Sequence, residues 1–146
     1  MNVTDAPKIA LAATAGTLVM SGVAAMAPMM GMPPMNPAAM MAEPMGGSMA
    51  LGWMAHLMVG NVLGFAFAWV VAARLPGPLA LRGALFSVAP WLLAQLMVMP
   101  MMGKGLFSGS MTMAAGSLMG HLVYGAVLGG VLSAAHVETA PSAVPA

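Results

Sequence analysis

Charged residues are scarce in this sequence. Four Lys or Arg and three Asp or Glu occur among 146 residues, so 5% of the chain is charged while 61% is hydrophobic. A soluble domain carries about 25% charged residues, because its surface must be hydrated. The composition therefore excludes a water-soluble globule and predicts that residues 1–146 form a single unit embedded in a membrane. The net charge of +1 provides no electrostatic surface for nucleic acid.

Cysteine is absent, which excludes disulfide bonds, thiolate metal ligands, iron–sulfur clusters, cysteine nucleophiles and covalently attached haem. The sequence also has no P-loop, nucleophile elbow, paired-carboxylate or H-E-x-x-H pattern. With so few polar groups, we do not expect an enzyme that acts alone. The groups that remain for chemistry include three histidines and 20 methionines, so thioether is the most abundant functional group in the chain.

Four long apolar segments account for most of the chain. A transmembrane helix needs about 20 apolar residues to cross about 30 Å of hydrocarbon. Segments of that length lie at about 8–30, 48–73, 79–99 and 110–135. The connection 28–48 is rich in methionine and contains five prolines, which predict an irregular loop. Pro90 lies inside the third segment and predicts a kink. The sequence thus predicts an all-α, four-helix transmembrane bundle.

The distribution of Lys and Arg predicts the orientation of the bundle, because the cytoplasmic segments of membrane proteins are enriched in these residues. Lys8, Arg74 and Arg82 belong to one side of a four-helix topology, whereas the other side has Lys104. We therefore expect both termini on the cytoplasmic side of the membrane, with the 28–48 loop outside.

The second half of the chain repeats motifs of the first. The pattern H-L-x-x-G-x-V-L-G occurs at 56–64 and again at 121–129, 65 residues later. The pattern P-M-M-G occurs at 28–31 and at 100–103, 72 residues later. Helices one and two therefore resemble helices three and four. Two helices per repeat give both copies the same orientation, so we expect an internally duplicated helical hairpin with a pseudo-twofold axis along the membrane normal.

These motifs resemble those of a known group of proteins. The P-M-M-G helix end, the arginine-flanked loop 74–82 and the last helix with H-L-V-Y-G-A-V-L-G are similar to a family of small bacterial four-helix integral membrane proteins of uncharacterised function. The resemblance is clearest over helices two to four, and it implies the same fold. It implies no activity, and it does not account for the methionine-rich first loop.

Two histidines lie in the repeated motif on faces that also carry glycine. Residues at i and i+4 share a helix face, so His56 lies beside Gly60, and His121 beside Gly125. One interpretation is structural: the glycines allow close packing, and each imidazole bonds to a carbonyl or a polar side chain. The other is a metal ion or a b-type haem held between the two imidazoles, with Gly60 and Gly125 leaving room for the macrocycle. The sequence leaves both interpretations open.

Methionine is concentrated in one half of the predicted bundle. Twelve of the 20 methionines lie between residues 20 and 58 and seven between 97 and 119, all in the predicted outer half. Soft thioethers select Cu(I), and M-x-x-M and M-x-x-x-M spacings suit that ion. Flexible methionine surfaces also suit docking of a partner, and a bias in residue usage is a third explanation. The candidate metal ligands among these methionines are Met29, Met32, Met35, Met41 and Met45.

Three functions are compatible with the sequence. The first is a small accessory or assembly protein that packs against a larger membrane complex, such as a respiratory or electron-transfer complex. The second is a metal-binding membrane protein in which His56 and His121, with outer methionines, hold Cu(I) or a b-type haem. The third is a small-solute channel, for which the chain offers a thin set of polar residues, Asn61, Gln95 and Tyr124.

Overall fold

The structure, a computed structural model, describes residues 6–137, with side chains to residue 135; the rest of the predicted 1–146 unit lies outside the described part. The helices are α1 (Ala6–Met26), α2 (Pro37–Ala42), α3 (Met49–Ala66), α4 (Leu79–Leu93) and α5 (Met111–Val137). With the turns that extend them, four segments are long and apolar enough to cross a membrane: Ala6–Met30, Met49–Val71, Leu79–Met101 and Met111–Ala135. The predicted all-α four-helix fold is confirmed, and the chain is a multi-pass membrane protein.

α1 and α3 form the first hairpin and pack antiparallel through small residues of α3. A Cβ added at Gly60 would overlap the Thr17 side chain, and one added at Gly64 would lie 2.5 Å from the Ala13 Cβ. The Thr17 hydroxyl is directed to the Ala13 carbonyl, 2.8 Å away within its own helix. Since real side chains cannot approach so closely, glycine at these positions is what lets the two helices pack at this distance.

α4 and α5 form the second hairpin, in which the two backbones are in contact. A Cβ added at Gly125 would overlap the Gly83 carbonyl, and a Cβ added at Gly83 would overlap the Gly125 carbonyl. Gly129 lies equally close to the backbone of Leu79. A side chain at either member of the Gly83–Gly125 pair would hold the helices apart, so this pair determines the distance between α4 and α5.

The four spanning helices lie in the order α3, α1, α5, α4. α1 packs along both α3 and α5, and α5 packs along both α1 and α4. α3 and α4 meet mainly where α3 ends, and there the Phe67 and Phe86 rings are 5.5 Å apart. The first helix of the chain and the last therefore form the centre of the bundle.

The glycines of the repeated motif contact different residues in the two hairpins. Gly60 of α3 packs on Thr17 of α1, whereas the corresponding Gly125 of α5 packs on Gly83. The 72-residue repeat matches Gly83 to Leu11, which is 67% exposed and too large for a backbone contact. The duplication in the sequence therefore produces two hairpins of the same kind whose helix contacts are not equivalent.

The two ends of the bundle differ in composition. One end, here called the arginine end, has the 72–78 turn, which Arg82 closes by donating to the Ala72 and Gly77 carbonyls at 2.6 and 2.5 Å. A buried apolar cluster fills this half of the bundle and includes Ile9, Phe67, Tyr124, Leu128 and Leu132. The opposite end, here called the methionine-rich end, has the connections 27–48 and 99–110. Because the helices are antiparallel, the methionine-rich stretches 20–58 and 97–119 meet there.

α3 and α4 each continue into a π-helical turn, at Phe67–Val71 and at Ala94–Val98. The second turn follows Pro90, which has no N–H to donate inside the helix. The sequence predicts a kink at Pro90, and the structure shows a helix that continues past it into this widened turn. The turn contains Gln95, whose side chain is thereby buried inside the bundle.

The first connection is more regular than its five prolines predict. α2 begins at Pro37, and Asn36 caps it by accepting the Ala39 N–H at 3.0 Å. The short helix packs on α3, where a Cβ added at Gly52 would overlap the Ala38 carbonyl. Proline at the first position of a helix loses no hydrogen bond, so the segment folds back over the methionine-rich end.

Gly125→Ala is expected to destabilise the bundle, because the new Cβ would overlap the Gly83 carbonyl and force α4 away from α5. Overpacking of this kind costs about 1–3 kcal/mol. Gly130→Ala is the matched control on the same helix, since a Cβ at Gly130 meets nothing within 4 Å. Unfolding of both variants at increasing SDS fraction in mixed micelles measures the difference, and equal stabilities would contradict the backbone contact.

Candidate functional site at the methionine-rich end

Polar side chains collect inside the bundle in the half nearer the methionine-rich end. His56 is 6% exposed and Gln95 is 2% exposed. Burial of such groups is unfavourable unless other residues provide hydrogen bonds. Every buried polar side-chain atom of the described residues has a partner. We call this set the polar cluster, and its members are Ser21, His56, Gln95, Ser117 and His121.

His56 projects from α3 toward α1. The Ser21 hydroxyl donates its one proton to the Thr17 carbonyl at 2.8 Å. The Ser21 oxygen lies 3.1 Å from His56 Nε2 and therefore accepts a hydrogen bond from it. This arrangement places the proton of the neutral imidazole on Nε2 and the lone pair on Nδ1. The Trp53 ring packs beside the imidazole, with the two centroids 6.1 Å apart.

His121 is half-buried on α5 and is held by its own helix. Its Nδ1 lies 2.8 Å from the Ser117 carbonyl, one turn earlier. A carbonyl oxygen can only accept, so Nδ1 has the proton and Nε2 has the lone pair. The two imidazoles are thus anchored through different nitrogens, His56 through Nε2 and His121 through Nδ1. In each ring the other nitrogen has the electron pair that can bind a cation.

The structure brings His56 and His121 to the same depth in the bundle. The Tyr124 hydroxyl of α5 donates to the Gly60 carbonyl of α3 at 2.6 Å, which fixes the relative height of these two parallel helices. His56 precedes Gly60 by four residues and His121 precedes Tyr124 by three. Both histidines therefore lie about one turn, ~5 Å, nearer the methionine-rich end.

A chain of hydrogen bonds connects Gln95 to the loop at the methionine-rich end. Ser108 Oγ donates to Gln95 Oε1 at 2.9 Å, and Gln95 Nε2 donates to Ser117 Oγ at 3.2 Å. Ser117 is also the residue whose carbonyl holds His121. Phe107 and Ser108 adopt left-handed φ angles of 52° and 59°, which are unfavourable for residues other than glycine. The bond to Gln95 stabilises this turn.

The sequence singled out the two histidines as candidate site residues, but it did not predict that Ser21 and Ser117 would bond to them. Of the other polar residues that it singled out, Asn61 bonds within the α1–α3 hairpin and Tyr124 bonds to Gly60, so neither holds a histidine. The spacing of these serines in the sequence does indicate such bonds. Ser21 follows a threonine by four residues, and Ser117 precedes a histidine by four, inside otherwise apolar helices. Polar groups at that spacing share a helix face and can bond along it.

The glycines of the repeated motif do not leave space for a haem group. Gly60 packs on Thr17, and Gly125 packs on Gly83, both too closely to admit even a Cβ. A planar macrocycle needs far more room than a methyl group. The neighbouring helices therefore occupy the space that the haem interpretation places at these glycines, and Gly60 and Gly125 serve helix packing.

Two of the candidate methionine ligands converge on α5. The sulfur atoms of Met32 and Met35 lie 3.1 and 3.4 Å from the position of a Cβ built on Gly116. Gly116 precedes His121 by five residues on the same helix. The M-x-x-M pair therefore places two thioethers over α5, somewhat more than one turn from His121.

The other three candidate methionines do not join this pair. Met29 is 84% exposed and Met45 is 43% exposed. Met41 is half-buried on the short helix α2. The spacing of these residues in the sequence resembles a metal motif, but the fold directs them to different surroundings.

Two cavities open toward the methionine-rich end. One, of about 320 Å³, is bordered by Ser21 and Trp53, and the other, of about 490 Å³, by Ser108 and Lys104. The segment 34–36 borders both cavities. Toward the arginine end, the buried apolar cluster fills the centre of the bundle. The polar cluster is therefore reached from one end, and the described residues do not provide the continuous polar path that a small-solute channel requires.

Gln95→Leu is expected to free the Phe107–Ser108 turn, because Ser108 and Ser117 lose their common partner while the apolar volume is kept. Faster amide hydrogen exchange across residues 105–110 and a loss of about 1 kcal/mol in stability are the expected results. Thr112→Ala, at an exposed position of α5, is the control. Exchange at the rate of the unmodified protein would mean that Gln95 does not hold the turn.

Comparison with known proteins places the chain in a family. Residues 3–142 match a family of unknown function, DUF6789. Neither a curated protein nor a solved structure matches the chain. The family match covers nearly the whole chain and confirms the resemblance to an uncharacterised family that the sequence motifs indicate. The chain therefore belongs to DUF6789, a family of unknown function.

Proposed function

We propose that this membrane protein binds a soft metal ion, Cu(I), between His56 and His121. The observation that supports the proposal is the way in which the two imidazoles are held. In each ring one nitrogen is engaged, with Ser21 Oγ or the Ser117 carbonyl, and the other has the lone pair. Metal-binding histidines are usually held in this way, because the second hydrogen bond fixes the tautomer and orientation of the ring.

The composition of the surroundings favours Cu(I) over harder ions. Among the described residues, no group of three His, Cys, Asp or Glu side chains could hold a metal ion. Methionine side chains lie on the turns of α5 next to His121. The Met20 side chain packs on Gly120, next to His121 in the chain. Met32 and Met35 follow at the next level of α5. Imidazole and thioether together form a soft, neutral ligand set, which selects Cu(I) over Mg²⁺ or Ca²⁺.

A monovalent ion also suits a site buried inside a membrane protein. The unfavourable free energy of moving an ion into a low-dielectric interior rises steeply with its charge. Cu(I) with neutral histidine and methionine ligands leaves a charge of +1, whereas a divalent ion would call for carboxylate ligands. With the orientation expected from Lys8, Arg74 and Arg82, the two cavities would open on the outer side of a bacterial inner membrane.

Titration of the detergent-purified protein with Cu(I), in competition with a chromophoric Cu(I) chelator, tests the proposal. We expect binding to weaken by roughly tenfold or more in His56→Ala and in His121→Ala, since each removes one ligand. His136→Ala is the control, because position 136 lies 15 residues beyond His121 on α5, about 22 Å along the helix. Binding that is unchanged in both site variants would rule out the site.

The surface of α4 supports a second function, as an accessory subunit of a larger membrane complex. In an apolar 18-residue stretch of the spanning segment that contains α4, 17% of the residues are buried, compared with 33% in the corresponding stretch of each of the other three. Its exposed side chains, at 39–49%, include Leu81, Leu85, Leu92 and Leu96. We propose that a partner such as a respiratory or electron-transfer complex covers this face in the native membrane.

A spin label on Leu85→Cys is expected to be less accessible to oxygen in native membranes than in the purified protein in nanodiscs, because the partner shields α4. The chain has no cysteine of its own, so one position is labelled at a time. Leu18→Cys, at a position on α1 that is 51% exposed, is the control. Equal accessibility of the Leu85 label in the two preparations would show that α4 faces lipid and would remove the accessory function.

A further inference from the structure

Methionine is the most frequent residue around the larger cavity at the methionine-rich end. The cavity has a volume of about 490 Å³, and the methionines that border it are Met35, Met40, Met99 and Met113. They come from four places in the chain: the first connection, α2, the turn that ends the α4 segment, and the start of α5. We propose that this cavity is a second, thioether-only site for Cu(I) and that the ion passes through it to the histidine pair. The passage to the histidines and the presence of a second, nitrogen-ligated ion rest on the proposed function; the thioether site itself does not.

Met99 is the most deeply buried of the methionines that border this cavity. It is 5% exposed, whereas its neighbours Met97 and Met101 are 55% and 83% exposed. The buried members of the apolar cluster at the arginine end are Ile, Leu, Phe, Tyr and Ala. Branched and aromatic side chains thus fill the interior at the arginine end, whereas methionines border the cavity at the methionine-rich end. Leucine has nearly the same volume as methionine, so apolar packing alone does not require sulfur here.

The polar groups around the cavity do not suit a hard or highly charged ligand. The carboxylate that borders it, Glu43, is paired with Lys104 at 2.9 Å, so these two charges cancel. Asn36 and Ser108 are neutral, and each is already engaged in a hydrogen bond within the protein. Ca²⁺ and Mg²⁺ require several oxygen ligands. Neutral thioethers instead select Cu(I), and a monovalent ion adds the least charge to such a site.

Met35 lies beside the larger cavity and close to the helix that carries His121. It borders the larger cavity and also the smaller one, which includes Ser21, the partner of His56. Its sulfur atom lies over Gly116, on the helix that carries His121. A Cu(I) ion that moves from thioether to imidazole ligands exchanges ligands without changing its oxidation state. The passage therefore needs no electron donor or acceptor.

Replacement of three cavity methionines by leucine tests the thioether site, because leucine keeps the apolar volume and removes the sulfur. The triple variant is Met40→Leu, Met99→Leu and Met113→Leu. The full-length protein is loaded with Cu(I) under reducing conditions, and X-ray absorption separates sulfur from nitrogen ligands. We expect two bound ions in the unmodified protein and one in the triple variant, with nitrogen ligation retained. The control is leucine at the exposed positions Met97, Met101 and Met111, which is expected to keep both ions.

The outcomes separate this inference from the proposed function. Unchanged stoichiometry and sulfur scattering in the cavity variant would overturn the thioether site and leave the histidine site standing. A sulfur-ligated ion that persists in His56→Ala/His121→Ala protein supports the thioether site, whatever the result at the histidines. Loss of all Cu(I) from that double variant would overturn it. Circular dichroism verifies folding, and if the triple variant fails to fold, Met40→Leu alone is expected to weaken the sulfur-ligated ion roughly tenfold.

Discussion

Contact between helices at glycine is the interaction on which the rest of this structure depends. Gly83 and Gly125 face each other at a distance that admits no side chain, and Gly60 meets Thr17 in the same way. Lipid is as apolar as the helix surfaces, so close packing, more than hydrophobic burial, holds membrane helices together. These contacts fix the height of each helix relative to its neighbour. The heights in turn decide which polar side chains meet.

The same packing explains why the two halves of the bundle differ. Toward the arginine end, large apolar side chains such as Phe67 and Leu128 fill the interior. Toward the methionine-rich end, α2 and the connections close the bundle, and two cavities remain. Polar side chains in that half satisfy one another, as the bonds from Ser108 through Gln95 to Ser117 show. The interior is therefore polar toward the methionine-rich end and apolar toward the arginine end.

The sequence was sufficient for the fold class, because the length and apolarity of a spanning segment are local properties. The repeat also placed His56 and His121 at corresponding positions. The sequence did not predict which helices are neighbours. α1 lies against α5 because Gly16 accommodates Tyr124. This contact joins distant parts of the chain, and no local pattern encodes it. Composition indicated which end is rich in methionine. It did not indicate that Met99 would face the interior, since that depends on the widened turn after Pro90.

The order of the helices has a consequence for biosynthesis. Of the four spanning helices, α1 is made before the others, yet it lies between α3 and α5, and α5 follows the other three. α3 can pack on α1 as soon as both are inserted, whereas the face of α1 at Gly16 stays open to lipid until α5 arrives. His121 belongs to α5, so the polar cluster cannot assemble while the earlier segments are being translated. The nascent chain therefore has only one of the two histidines in the bundle until α5 has left the ribosome.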